Sequence, residues 1–422
     1  MYYTFLEWEY IMSLLVISGG KSLSGRIRPG GSKNAVLPII FATLATRGIS
    51  VIKNVPDITD VDDALAIISS FGARVARDGE TLTVDTKELT YQEPDTALTE
   101  RIRASTYLMG ACLARFGHVK KPSFGGCNFE PRPIDLHLYA FGQLGALEYG
   151  DELVISSSQV KNIHFTKPSV GATANALILA SSLPCRTYIH GYAKEPHIRV
   201  LAEYLAFSGA EIILEEDKIT VIGGELHGAT VTIPTDPIES VTYSFLSLMT
   251  DGEVSVTDAP FSELLPVLLP LKSAGINVKF TNSELLLSGA LRSGVLFIAA
   301  PYPGIPTDVQ PLLAPLLGKF SGGIISDSVF PRRFGYIDEL RKLGLSAEYS
   351  SGKAVINPST FHHAAVTAPD LRGGAALMLA ALAADGESVI ASSERIMRGY
   401  GGIIKKLRSV GAEIYEIQKK RI

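Results

Sequence analysis

Along this chain, stretches that are apolar on nearly every side alternate with stretches that are apolar on one face only. The first kind covers 32–46, 100–116, 169–183, 237–249, 307–318 and 371–384, and from Ala375 to Ala384 no side chain is polar. A helix apolar all round is buried all round, so six interior helices are predicted. The second kind ends each time in a small turn with glycine, at Gly72, Gly145, Gly209, Gly275, Gly344 and Gly411. Glycine there is the expected left-handed helix stop, and these six one-faced helices should cover the outside. The glycines are 73, 64, 66, 69 and 67 residues apart. Units of that size are too long for a solenoid repeat and too short for separate large domains. Alternating apolar runs at 14–18, 211–221, 254–258, 285–288 and 388–391 supply strands. The pattern predicts an α/β chain with helices inside and sheets outside, three units to a domain.

Composition adds limits. A length of 422 residues predicts two or three domains, and 46% hydrophobic with 19% charged residues suits a globular protein with sizeable cores. The formal net charge of −4 argues against a general nucleic-acid binder, although 39 Lys and Arg leave room for a local cationic cavity. Cys112, Cys127 and Cys185 cannot all pair with one another, and their spacing matches no zinc pattern, so no metal is expected. No run reaches the 18 apolar residues of a membrane span. The acidic, aromatic N-terminus is unlike a signal peptide, which leads to the expectation of a cytoplasmic protein. Met12 closely precedes the first strand, so residues 1–11 are expected to be an extension outside the fold.

Chemistry concentrates in two places. Phe124-Gly-Gly-Cys-Asn-Phe-Glu-Pro-Arg-Pro-Ile-Asp-Leu-His137 gathers a thiol, a guanidinium, two carboxylates and an imidazole. Glycines free its left end and Pro131 and Pro133 stiffen its right, as suits a loop that moves over a ligand. A surface turn holding a buried free cysteine fits the same residues. The second place is the starts of the buried helices, which carry Ser32-Lys33-Asn34, Arg101 and Arg103, Lys167 with Ser169 and Gly171, Asp236 with Glu239, Asp308, and Asp370 with Arg372. Ser32, Ser169, Asp308 and Asp370 are each candidate caps. Lys33, Arg103 and Arg372 are not explained by capping, because a cation at a helix N-terminus is unfavourable without an anion. A phosphate or carboxylate ligand supplies one.

These motifs resemble one family: the enolpyruvyl transferases, in particular UDP-N-acetylglucosamine 1-carboxyvinyltransferase. The resemblance runs from about residue 14 to 416. It rests on Gly31-Ser-Lys-Asn-Ala35, Arg101-Ile-Arg-Ala-Ser105, the Cys127 to His137 run, Ser169-Val-Gly-Ala-Thr173, Pro306-Thr-Asp308, Phe330-Pro-Arg-Arg-Phe334, Asp370-Leu-Arg372 and Arg398-Gly-Tyr400. It implies a two-domain inside-out α/β barrel of six similar units, three per domain. One domain would be 1–32 plus 235–422, the other 33–234 with the Cys127 loop. It also implies transfer of the enolpyruvyl group of phosphoenolpyruvate to the 3-hydroxyl of UDP-N-acetylglucosamine through a tetrahedral ketal, opening peptidoglycan precursor synthesis. Phosphoenolpyruvate is a co-substrate, and no cofactor is implied.

By the same resemblance, Lys33, Arg103, Arg132, Arg372 and Arg398 hold phosphoenolpyruvate, with Lys33 and Arg398 also catalytic. Asp308 is the base for the sugar hydroxyl, and Cys127 is the reactive thiol that fosfomycin alkylates. The UDP-sugar falls to Asn34, Arg132, Pro133, Ile134, Asp135, His137, Lys167, Ser169, Val170, Gly171, Asp308, Val329 and Arg333. Asp135 and His137 are also readable as satisfied loop residues, a lesser alternative, and Arg332 competes with Arg333 one position away. The chain departs from the family pattern at Asn128–Pro131, at Tyr107 where an indole is common, at Ser240-Val241, and at Arg332. The alternatives are a paralogue acting on another nucleotide such as UMP, the shikimate branch of the superfamily, and a non-catalytic nucleotide-binding protein. The expected partners are small molecules, with no nucleic acid or membrane, and the expected state is a monomer or weak homo-oligomer.

Overall fold

The computed structural model describes residues 12–125, 132–156, 161–292 and 294–419. The 1–11 segment and Cys127 lie outside them. Two compact units emerge, each with its own hydrophobic core. A central unit holds Gly30–Asp236 with Pro301–Gly304, and a terminal unit holds the chain up to Pro29, Pro237–Ala300 and Ile305 onward. These boundaries fall at 29/30 and 236/237, against 32/33 and 234/235 expected from sequence. Backbone bonds from Ser32 N–H to the Pro234 carbonyl (2.8 Å) and from Asp236 N–H to the Gly30 carbonyl (2.8 Å) bind both crossing strands into the central unit.

The terminal unit buries Pro237–Met249, Gln310–Lys319 and Leu371–Ala383 against one another. Every residue from Leu371 to Leu382 is buried, as its Ala- and Leu-rich sequence requires. The central unit buries Lys33–Ala42, Tyr107–Phe116 and Val170–Ser182. The amphipathic partners are Thr59–Ser70, Asp135–Gln143, Pro196–Phe207, Phe261–Ser273, Tyr336–Lys342 and Ile403–Ser409. After each comes its glycine, and all six have φ between +95° and +119°. That region is cheap only for glycine.

Among the described residues three sheets belong to each unit, five of four strands and one of three. Each four-stranded sheet has one parallel pair followed by two antiparallel pairs, as in Thr230–Thr232, Ile49–Lys53, Thr81–Asp85 and Arg74–Asp78. Among the described residues the three-stranded sheet shows no parallel member. The six-fold repeat is therefore real at the level of topology. Among the described residues the sheets are separate ladders and no closed sheet forms, so "barrel" describes the layering within each unit. Strand Met12–Gly19 sits between Gly386–Ala391 and Glu413–Lys419, so the two ends of the chain complete one sheet of the terminal unit.

Several expected bounds change. The run 211–221 is a hairpin, Glu211–Leu214 and Lys218–Ile222, closed by Glu215 N–H to the Lys218 carbonyl (3.0 Å). The helix expected at 100–116 begins at Tyr107, after a short 3-10 turn Arg103–Thr106. The Ser105 hydroxyl bonds the carbonyls of Thr99 (2.8 Å) and Ile102 (2.7 Å), diverting the backbone from helix. The helix expected at 307–318 starts only at Gln310.

Candidate active site

In the central unit, Lys33 opens a buried helix whose N-cap is Ser32, the hydroxyl accepting from Ala35 N–H. The Lys33 ammonium lies 2.8 Å from Asp60, in the first turn of a neighbouring helix, and both side chains are nearly buried at 12% and 5% exposure. The Lys33 N–H also donates to Asp236 (3.0 Å). The cation that seemed to lack an anion thus has the Asp60 carboxylate of its own chain, while Asp236 holds the backbone N–H of the same residue. Asn34 beside it is half-buried.

Arg103 lies in the 3-10 turn, not at an α-helix start. It donates to the Arg132 carbonyl, and its guanidinium stands 5.4 Å from the Phe124 ring centroid. Burial first, then the neighbouring Arg132, lowers its pKa from the ordinary arginine value. Two guanidinium residues joined across a loop end form a cationic patch suited to a carboxylate or phosphate. Pro133 and Asp135 are exposed, and Ile134 packs on the core.

His137 is buried in the first turns of Asp135–Gln143. Its Nδ1 lies 2.8 Å from Asn175 Nδ2, and the Cε1–Nε2 edge of the ring faces Gly171, where a β-carbon would lie 2.8 and 2.9 Å from those atoms. Burial first, then Arg103, holds its pKa down at about 4 against the opposing pull of Asp135. It is a neutral imidazole. Gly171 is the second residue of Val170–Ser182, capped by Ser169 through Ala172 N–H (3.4 Å), with Lys167 exposed just upstream. The unbonded first N–H groups of a helix, a donor imidazole and a lysine make this end receptive to an anion.

In the terminal unit, Asp308 does not cap a helix, contrary to the expectation, since the N-cap of Gln310–Lys319 is Val309. Asp308 lies instead between two guanidinium groups. Arg333 Nη1 donates to one carboxylate oxygen (2.8 Å), and Arg372 Nε donates to the other (3.3 Å). Arg333 is 4% and Arg372 1% exposed. Asp370, which does cap Leu371–Ala383 through Arg372 and Gly373 N–H, lies 3.5 Å from Arg333. Burial alone would lower the Arg333 pKa, but Asp308 and Asp370 raise it above the ordinary arginine value. Of the two neighbours, Arg333 belongs to the buried cluster and Arg332 is exposed. Arg372 also stands 5.2 Å from the Tyr400 ring centroid. Arg398 is half-buried at the end of Glu394–Met397.

Val329 is held by Asp327, whose Oδ1 accepts from Val329 and Phe330 N–H at 2.8 Å each. The other oxygen of Asp327 accepts from the Thr307 hydroxyl, next to Asp308.

The EPSP synthase (3-phosphoshikimate 1-carboxyvinyltransferase) family profile matches residues 17–407. A UDP-N-acetylglucosamine 1-carboxyvinyltransferase from Halothermothrix orenii is 36% identical over 415 residues, covering 96% of this chain and all of that protein. The chain belongs to the enolpyruvyl transferase family. A second relative of the same name, from Streptococcus agalactiae, is 35% identical over 97% of the chain and all of its own length. Among solved structures, the enolpyruvyl transferase NikO from Streptomyces tendae superposes with a TM-score of 0.85 at 26% identity, covering 97% of this chain and 100% of that one. An EPSP synthase from Acinetobacter baumannii shares the fold, with a TM-score of 0.71 at 15% identity, covering 96% and 100%.

Set on this enolpyruvyl transferase, sequence reasoning passed over Asp60, Asn175 and Asp327. Asp60 carries no signal, because its partner Lys33 is on another helix. Asn175 does carry one. It is a lone amide inside Ala172–Ala180, otherwise almost wholly apolar, and a buried amide must find partners. Among the described residues no group of three or more His, Cys, Asp or Glu could hold a metal, and no helix is long and apolar enough to cross a membrane.

Proposed function

We propose that this protein transfers the enolpyruvyl group of phosphoenolpyruvate to the 3-hydroxyl of UDP-N-acetylglucosamine. The reading is carried by the Asp308–Arg333–Arg372 cluster, on a chain similar along its whole length to relatives named for that reaction. The sugar oxygen adds to C2 of phosphoenolpyruvate while C3 takes up a proton, giving a tetrahedral ketal. Loss of the C3 proton and of phosphate then restores the double bond in the product. Asp308 takes the hydroxyl proton, and Arg333 and Arg372 fix both its oxygens so that the carboxylate meets the hydroxyl in one orientation. Cys127 is assigned the acid role on the resemblance alone. Lys33, Arg103, Arg132, Arg372 and Arg398 are assigned to the phosphate and carboxylate of phosphoenolpyruvate, a small anion that needs several cations. The helix end at Ser169–Gly171, with Lys167 and His137, is assigned to the diphosphate. We further infer a cytoplasmic enzyme, monomeric or weakly self-associating.

A second reading keeps the same chemistry with another acceptor, a nucleotide such as UMP. Phosphate release from phosphoenolpyruvate decides between them, measured with UDP-N-acetylglucosamine and UMP in wild type and Asp308→Ala. Turnover with the UDP-sugar, lost in the variant, is the expected result. Turnover with UMP alone moves the acceptor, and turnover with neither rejects the reading.

A further inference from the structure

Asn175 sits in the middle of a buried helix, fully inaccessible, and each of its amide atoms is committed. Oδ1 accepts from Gly110 N–H (2.9 Å), and Nδ2 donates to the Thr106 carbonyl (3.1 Å). Those two backbone groups are four residues apart, the pair that an uninterrupted helix joins directly. Asn175 therefore splices its amide into the start of Tyr107–Phe116. A backbone N–H can only donate and a carbonyl can only accept, so the amide has one possible orientation. Its remaining hydrogen points at His137 Nδ1, 2.8 Å away. Nδ1 must offer a lone pair, and the ring proton must be on Nε2. No described residue accepts from Nε2, which lies at the edge facing Gly171.

We propose that Asn175 is a positioning residue that fixes the His137 tautomer, so that His137 presents a neutral Nε2–H donor to a phosphate oxygen at the amino end of Val170–Ser182. The ligand half of this rests on the reading of that helix end as a diphosphate site. A donor that is already neutral binds the anion without taking up a proton, so affinity does not depend on the protonation state of the ring. The charged groups that face the imidazole are Arg103, which resists protonation, and Asp135, which favours it. Gly171 completes the arrangement, because any side chain there would occupy the space of the ring.

Long-range 15N–1H NMR of the full chain reads the tautomer directly. The wild type should show an unprotonated Nδ1 and a protonated Nε2 for His137, unchanged from pH 6 to pH 9. Asn175→Asp keeps the acceptor for Gly110 but removes the donor to Nδ1. In that variant His137 should protonate near neutrality at low pH and carry its proton on Nδ1 at high pH, turning the Nε2 lone pair toward the phosphate. The dissociation constant of UDP-N-acetylglucosamine, whose two phosphates carry no proton that titrates between pH 6 and pH 9, should by calorimetry then be flat with pH in wild type. In the variant it should rise about tenfold to a hundredfold between pH 6 and pH 9, the size of losing one hydrogen bond to a charged group. A merely structural role for Asn175 predicts a loss independent of pH, which overturns the proposal. A wild-type His137 protonated on Nδ1, or titrating near neutrality, overturns it whatever nucleotide binds and whether or not the variant folds. The expected tautomer without binding of UDP-N-acetylglucosamine rejects the diphosphate reading, and with it the proposed partner of the donor.

Discussion

Replacing Asp308 by Asn separates chemistry from scaffolding. The carboxylate faces two guanidinium groups that are 4% and 1% exposed, at 2.8 and 3.3 Å, while Asp308 itself keeps 28% of its side chain in solvent. Breaking a buried ion pair by removing one partner costs about 3–5 kcal/mol. Solvent reaching Asp308, and Asp370 still standing 3.5 Å from Arg333, place the expected loss near the lower end, about 3 kcal/mol. For a unit of this size that corresponds to a fall in Tm of roughly 6–12 °C. Loss of a general base lowers kcat by about 10²–10⁴-fold.

The assay pairs phosphate release at saturating substrates with a thermal scan of the same preparation. A large fall in kcat together with the fall in Tm supports a base held by its own clamp. A kcat within a few-fold of wild type refutes the base assignment, and a lowered Tm beside it leaves Asp308 as a structural counter-ion. An unchanged Tm refutes the electrostatic account of the cluster, since two buried arginines would then have lost a carboxylate without consequence.

Other outcomes follow from single contacts. Gly171→Ala puts a β-carbon 2.8–2.9 Å from the His137 ring and should raise the KM for the nucleotide sugar about tenfold or more, by steady-state kinetics. His137 contributes stability that is present above its unfolded pKa near 6.5 and lost as pH falls toward its folded value of about 4. That depression amounts to about 3 kcal/mol, so urea denaturation between pH 7 and pH 4 should show a shallower loss in His137→Gln. Iodoacetamide should modify half-buried Cys185 in the native protein and spare fully buried Cys112, whose thiol burial pushes up; mass spectrometry showing Cys112 modified first would contradict this. Gly411→Ala has room for its methyl but must hold φ near +99°, so chemical denaturation should register a loss of about 1–2 kcal/mol.

The fold was legible because its two helix types carry opposite burial patterns. A stretch such as Ala375–Ala384 has no polar face to turn outward, so it can only be interior. The six left-handed glycines mark where each covering helix must stop. Bounds failed where a polar side chain competes with the backbone. Ser105 diverts the chain before Tyr107, and the Asn175 amide braces the first turn that follows from another helix, a contact between residues some seventy positions apart that no local pattern encodes.

Charge was harder to interpret. Lys33 and Arg372 look like cations misplaced at helix starts only while the chain is considered one helix at a time. Folding brings Asp60 to the first and Asp308 to the second. A buried ion pair is weak evidence for stability, because desolvation offsets most of the attraction. Its value at such positions lies elsewhere. A cation held by carboxylates of its own chain remains in place and charged when no substrate is bound, and an arriving anion adds to an existing network rather than creating one. The same carboxylates limit how tightly any anion is held. Removing Asp60 should therefore act in opposite directions on two measurements. Asp60→Asn should destabilise the central unit, yet free Lys33 for the incoming phosphate and lower the KM for phosphoenolpyruvate. A variant that is destabilised and also raises that KM would show that Asp60 orients Lys33 and does not compete for it.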